Sequence, residues 1–148
     1  MESEQLEQVK KEIASLIEAY FEIGKSKDLS SLSRFFGPTY DFTKFDESPP
    51  YTRQSAEDAF VYEQARFANI SDYEYSVEDL RVDVFGTTAV ATFCLTFKGV
   101  FVNDYAFEGS TVGGRSRVTM VFGKYGEEWR LVHHHASRFP PGDRQPKG

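Results

Sequence analysis

Cys94 is the only cysteine in the chain, so no intrachain disulfide can staple it. The thiol lies in the run Ala-Thr-Phe-Cys-Leu-Thr-Phe, where a buried, inert sulfur is expected rather than a nucleophile. Positive charge is also scarce: 17 Lys and Arg against 23 Asp and Glu give a net charge of −6. That balance excludes a general nucleic-acid binder, which needs a basic footprint, and disfavours attraction to anionic membrane surfaces. No apolar run approaches the ~20 residues that span a bilayer. The opening Met-Glu-Ser-Glu-Gln lacks the basic and apolar regions of a signal peptide. A cytoplasmic location is therefore expected. No phosphate-cradling glycine loop, nucleophile elbow or dinucleotide fingerprint occurs, and Gly109, Gly113 and Gly114 precede no helix. No cofactor is expected.

What remains is enough for one soluble domain. The 148 residues can bury a core without staples, and 40% hydrophobic with 27% charged residues is a globular balance. Aromatics are abundant, 14 Phe and 8 Tyr. They fill a wide core or line a ligand cavity, and composition leaves both open.

Along the chain, Leu6, Val9, Ile13, Leu16, Ile17 and Tyr20 recur at helical spacing, which predicts an amphipathic helix over Glu4–Ile23 with Gly24 as its stop. A short helix over Leu29–Phe36 follows, with Asp28 as N-cap, closed by Gly37-Pro38. Tyr40–Phe45 alternates as a strand and Pro49-Pro50 breaks it. Ala56–Ala68 reads as a third helix capped by Ser55, with Phe60, Gln64 and Phe67 on one face. From Tyr73 onward the period becomes two. Strands are expected over 73–85, from 89 to the Asn103-Asp104 turn, over 115–123 and over 128–137. The inner faces are read as Ala89, Ala91, Phe93, Leu95 and Phe97, then Val118, Met120 and Phe122, then Val132, His134 and Ala136. Trp129, Leu131, His133, His135 and Ser137 are read as the outer face of the last strand. Helices followed by a run of antiparallel strands define an α+β domain over residues 1–139, with 140–148 as a flexible tail.

The segment Arg117-Val118-Thr119-Met120-Val121-Phe122 and the spacing Trp129-x-x-Val132-His133-x-His135-x-Ser137 resemble the last two strands of the SnoaL-like, ketosteroid-isomerase-like superfamily. They are nearest the branch that holds the association domain of calcium/calmodulin-dependent protein kinase II. The resemblance implies a cystatin-like cone: three N-terminal helices packed on a strongly curved, mainly antiparallel sheet, around an inner pocket. It also implies a choice among isomerases, dehydratases, cyclases, hydrolases and non-catalytic association modules. That branch carries pocket arginines at the places of Met120 and Ala136, so this pocket is expected to be more apolar and to take a neutral small molecule.

Three candidate groups follow. The triplet His133-His134-His135 suggests metal, but alternation sends His134 to one side and its neighbours to the other, and no Cys or carboxylate stands at ligand spacing; no metal is expected. His134, facing the inferred pocket, is a candidate general base, with a satisfied core histidine as the bland alternative. The resemblance suggests Asp41 as a second acid/base, with a raised pKa if aromatics bury it; a residue that faces solvent or caps the strand entrance is the equal alternative. Tyr20, Tyr51 and Tyr62 are candidate carbonyl polarisers at the pocket mouth, and Phe93 and Met120 are candidate pocket walls. An acid/base enzyme, a ligand-binding module and an oligomerisation domain all remain open. A homodimer through the outer sheet face, with Trp129, Leu131, His133 and His135, is expected because such a face is more often covered than left to water.

Overall fold

A computed structural model describes residues 2–36, 41–103 and 108–139. Helix α1 spans Ser3–Ser26. A 3₁₀ turn over Leu29–Leu32 leads into α2, Ser33–Phe36. Strands β1, Thr43–Phe45, and β2, Gln54–Ser55, precede α3, Ala56–Asn69. Four long strands complete the chain: β3 (Ile70–Phe85), β4 (Thr88–Asn103), β5 (Glu108–Tyr125) and β6 (Glu128–Arg138). They form one sheet in the order β2-β1-β6-β5-β4-β3. The β1–β6 pair is parallel and the others are antiparallel. The α+β cone is therefore present. The expected Gly37-Pro38 stop, the Asn103-Asp104 turn and the 140–148 tail fall wholly or partly outside the described residues. Among the described residues no helix is long and apolar enough to cross a membrane.

The sheet curves where β3 departs from regular pairing, between Ser71 and Glu74 and between Glu78 and Arg81. Asp72 and Asp79 take positive φ at these irregularities, a backbone state that Asp tolerates. Helix α1 lies along the concave side over β3. Its buried stripe is Ile13, Ile17, Tyr20 and Phe21. Each buried aliphatic of this kind contributes roughly 1.5–3 kcal/mol. Ala89, Ala91, Phe93, Leu95, Phe97, Val118, Met120 and Phe122 meet it from the sheet, as alternation predicts.

Four local expectations are corrected. Gly24 does not stop α1, which runs on to Ser26 and ends at Lys27 in the left-handed conformation. Gly24 is instead a point of close approach: a Cβ there would lie 2.8 Å from ring atoms of both Phe67 and Tyr73. Asp28 makes no side-chain bond to the backbone of the next turn; its carboxylate accepts from the hydroxyls of Ser30 and Ser31, each at 2.7 Å. The buried face of α3 is Ala59, Glu63 and Phe67, while Gln64 is exposed. Ser55 does cap α3, accepting from the Asp58 amide at 3.2 Å.

The fourth correction concerns β6. Phe122 pairs with Leu131, yet Val121 pairs with His133, so Val132 is an extra residue in the ladder. Such a bulge reverses which side later residues face. Trp129 and Leu131 therefore point into the core, against Phe122 and α1, and only His133, His135 and Ser137 keep the outward direction.

Gly24→Ala should lower stability by about 1–3 kcal/mol through overpacking, even though alanine is the better helix former by about 1 kcal/mol. Urea unfolding monitored by Trp129 fluorescence reads this as a lower midpoint. An unchanged or raised midpoint would mean the two rings yield freely.

Candidate site in the cone interior

Each strand contributes one inward residue to a row that crosses the sheet. Gln54 pairs with Lys44, Lys44 with His134, His134 with Met120, Met120 with Ala91, and Ala91 with Val82. All six are buried. The row is polar on β2, β1 and β6 and apolar on β5, β4 and β3. Two helices close over its polar end. Glu63 descends from α3 and Tyr20 from α1, both about 1% exposed.

Glu63 is the centre of this cluster. Its carboxylate accepts a hydrogen bond from the Tyr20 hydroxyl. Lys44 Nζ lies 3.2 Å from Glu63 Oε1 and 3.5 Å from Asp46 Oδ2, and Arg66 Nη1 lies 3.6 Å from Glu63 Oε1. The Lys44–Glu63 approach is close in distance but poorly aligned for a hydrogen bond, and both atoms lack a hydrogen-bond partner among the described residues. Burial alone would raise the Glu63 carboxyl, but Lys44, Arg66 and the Tyr20 hydroxyl outweigh it and bring its pKa down to about 2. The same burial, with the charge of Glu63 and the bond to it, pushes the Tyr20 phenol well above its ordinary 10.

His134 packs edge-on to Tyr20, with ring centroids 5.4 Å apart. Its Nδ1 has no hydrogen-bond partner among the described residues. Burial, then the positive charges of Lys44 and Arg66, push the imidazole well below 6.5, with Glu63 opposing. It is therefore neutral at physiological pH. On the outer side His133 Nδ1 lies 2.8 Å from Thr43 Oγ1 and the His133 and His135 ring centroids are 6.4 Å apart. Among the described residues no group of three or more His, Cys, Asp or Glu is placed to hold a metal ion.

The structure thus gathers Tyr20, Met120 and His134 around one point. Phe93 stands on the same wall, 6.0 Å from Phe21 by ring centroids. It does not gather the rest. Asp41 is exposed in the turn before β1, the solvent-facing alternative rather than the one buried among aromatics. Tyr51 and Tyr62 are 64% and 45% exposed. The expected apolar interior is also corrected: Lys44, Glu63, Arg66 and Asp46 make it charged, although Met120 and Ala136 are where alternation placed them. The interior is filled by side chains around Tyr20, whose ring meets Phe21, Phe35, Phe36, Phe67 and His134. A surface cavity of about 420 Å³ lies past the end of β1, between Tyr51 and Arg138. Asp46 lines it and is also the outer partner of Lys44.

A helix-backed, strongly curved sheet of this kind is the cystatin-like, nuclear transport factor 2-like fold. Within it the chain belongs to the SnoaL-like domain family, whose model matches residues 13–141. Solved structures agree on the fold. A nuclear transport factor 2-like protein from Salmonella enterica serovar Typhimurium is similar at 21% identity and TM-score 0.77, covering 97% of this chain and 99% of that one. A proposed dehydratase of the same class from Streptomyces avermitilis has 20% identity and TM-score 0.72, covering 88% and 96%. The association domain of the kinase CaMKII from C. elegans has 16% identity and TM-score 0.68, covering 88% and 96%. No curated protein matches the chain.

The low His134 pKa carries a pH dependence with a definite sign. Below about pH 6.5 the unfolded chain protonates this residue while the folded chain does not, so the unfolded state binds more protons and stability falls as pH falls. His133, also lowered, by burial first and then by His135, acts in the same direction. Between pH 6.5 and 5.5, His134→Leu should remove up to about 1.4 kcal/mol per pH unit of the parent's slope, measured by denaturant unfolding. Equal slopes in parent and variant would show that His134 takes up its proton in the fold.

Proposed function

We propose that this is a SnoaL-like pocket protein that performs metal-independent proton transfer on a small carbonyl compound. The observation that supports it is His134: neutral, sealed from water and free at Nδ1, beside an ammonium held in place by two carboxylates. A neutral imidazole is a general base suited to neutral pH. In this reading His134 takes the proton from the carbon next to the carbonyl. The electron pair moves to the carbonyl oxygen, and Lys44 stabilises the charge that develops there. The proton then returns to a different carbon, which isomerises the substrate. Tyr20 is not the polariser, because its hydroxyl is committed to Glu63. Glu63 and Asp46 position Lys44. The surface cavity that Asp46 lines does not reach His134 or Lys44, so entry in this reading requires the side chains around Asp46 to move aside.

A β,γ-unsaturated ketone such as 3-cyclohexenone tests this, because its conversion to the conjugated isomer is read by ultraviolet absorbance. The parent should accelerate conversion over buffer, and His134→Ala should reduce the rate about 10²–10⁴-fold while remaining folded. No acceleration, and no deuterium uptake from heavy water into a panel of small ketones, would overturn it. So would a folded His134→Ala variant with the parental rate.

A second copy of the chain is the partner we propose for the outer sheet face. The face is neutral at its centre, where Val90, Val121, His133 and Thr43 form one row and Thr92, Thr119, His135 and Phe45 the next. A hollow of about 550 Å³ on it is flanked by Arg117 and Asp79, so a two-fold related copy meets opposite charge. The structural likeness to kinase association domains supports assembly of this kind. A cytoplasmic setting, where the lone Cys94 stays reduced, belongs to the same reading. Sedimentation equilibrium at micromolar concentration should give twice the chain mass, and Val121→Asp should return it to the single mass. A monomeric parent would exclude the dimer.

A further inference from the structure

Outside the interior cluster, a trough of about 540 Å³ runs between α1, α2 and the β5–β6 hairpin. That volume holds a small organic molecule. The floor is Leu16 from α1, Phe35 from α2, Phe122 from β5, and Trp129 and Leu131 from β6. The bulge at Val132 makes this floor, because it turns Trp129 and Leu131 toward α1.

The two ends of the trough differ. Tyr20 meets both His134 and Phe35, with ring centroids 5.4 and 5.2 Å away. Phe35 therefore marks the end nearest Tyr20. From there α1 runs back through Leu16 and Glu12, and β6 runs back through Leu131 and Trp129 to the hairpin. Toward the hairpin stand Glu12, Glu127 and Glu128 with Lys11 and Arg130, three carboxylates against two cations. Arg130 already lies 3.5 Å from Glu128. Arg34 stands alone at the α2 end. Among the described residues it makes no ion pair. Its guanidinium lies 5.7 Å from the centroid of the Phe35 ring. A guanidinium laid against an aromatic floor is held by the ring and keeps its N–H fork for another partner.

The ligand's chemistry follows from this distribution. A carboxylate matches the arginine fork with two parallel charge-assisted hydrogen bonds. A second negative charge, as on a phosphate, would find no further cation at the Arg34 end and an excess of carboxylates at the other. The floor between Phe35 and Trp129 suits a hydrocarbon or aromatic body, which loses water on both sides when it settles there. We infer that the trough is a binding site for a small monocarboxylate with an apolar body. The carboxylate sits on Arg34, and the body lies along Leu16 and Leu131 toward Trp129. This site is separate from the interior cluster and does not depend on the chemistry proposed there.

Trp129 is the only tryptophan in the chain, so its emission reports on the trough directly. Phenylpropionate, phenylpropanol and phenylpropylamine share one body and differ in the head group: anion, neutral and cation. Titration of the full chain with phenylpropionate should change Trp129 emission saturably. Its affinity should exceed those of the alcohol and the amine at least about tenfold, the step expected of one charge-assisted pair. Phenylpropyl phosphate should bind no better than the carboxylate. Arg34→Gln should lower the carboxylate to the affinity of the alcohol. Arg34 is exposed, so this variant keeps the fold, and the comparison of probes on the parent stands without it. Equal affinity for alcohol and carboxylate, or a preference for amine or phosphate, would overturn the assignment. No saturable change with any probe would show that the trough takes no ligand of this class.

Discussion

The constraint on which this structure turns is the burial of the Glu63 carboxylate. An isolated charge at that depth would cost far more than any domain's net stability. It is tolerated because two other elements and its own helix each deliver a partner: α1 the Tyr20 hydroxyl, β1 the Lys44 ammonium, and α3, three residues on, the Arg66 guanidinium. The arrangement works in both directions. A strand of only three residues such as β1 is anchored by Lys44 as well as by its parallel pairing with β6. Removing any one partner leaves the Glu63 charge less compensated at the same depth, which is why such clusters tie a fold to one geometry.

Around that cluster the cone is an aromatic shell. Tyr20 makes edge contacts with four phenylalanines and with His134, so one side chain joins the apolar core to the charged interior. The irregularities of β3 bend the sheet about this shell, and close approach at Gly24 lets α1 meet Phe67 and Tyr73. At Gly99 the absence of a Cβ lets β4 lie against Ile70 at the irregular start of β3. Lys27 Nζ then binds the carbonyls of Phe67 and Ile70, tying the end of α1 to the junction of α3 and β3. The cross-sheet row from Gln54 to Val82 gives the interior its direction, polar at one end and apolar at the other.

Much of the site was half-legible. His134, Met120 and Phe93 were readable as inward residues because alternation on long strands survives folding intact. Glu63 was missed because the α3 face was set on Phe60, Gln64 and Phe67, when Ala59, Glu63 and Phe67 form an equally good stripe at four-residue spacing. A glutamate on a buried stripe looks like an error until its partners are known. Lys44 was missed for the same reason: on a strand it shares a face with Phe42, yet a lysine is ordinarily assigned to water. Asp41, Tyr51 and Tyr62 carried the right chemistry but stand on exposed backbone.

By itself the sequence determined the order of the helices and of the strands other than the two-residue β2, the apolar faces of α1, β4 and β5, the Ser55 cap and the family, because all of these rest on local periodicity and on spacing within one element. Only the tertiary structure decided that α1 passes through Gly24, that Trp129 and Leu131 turn inward, and that Glu63 meets Lys44. The physical reason is common to the three. A close ring contact, a one-residue bulge and a charge neutralised from another element are set by what lies opposite in space, and residues that meet that way leave no periodic mark along the chain.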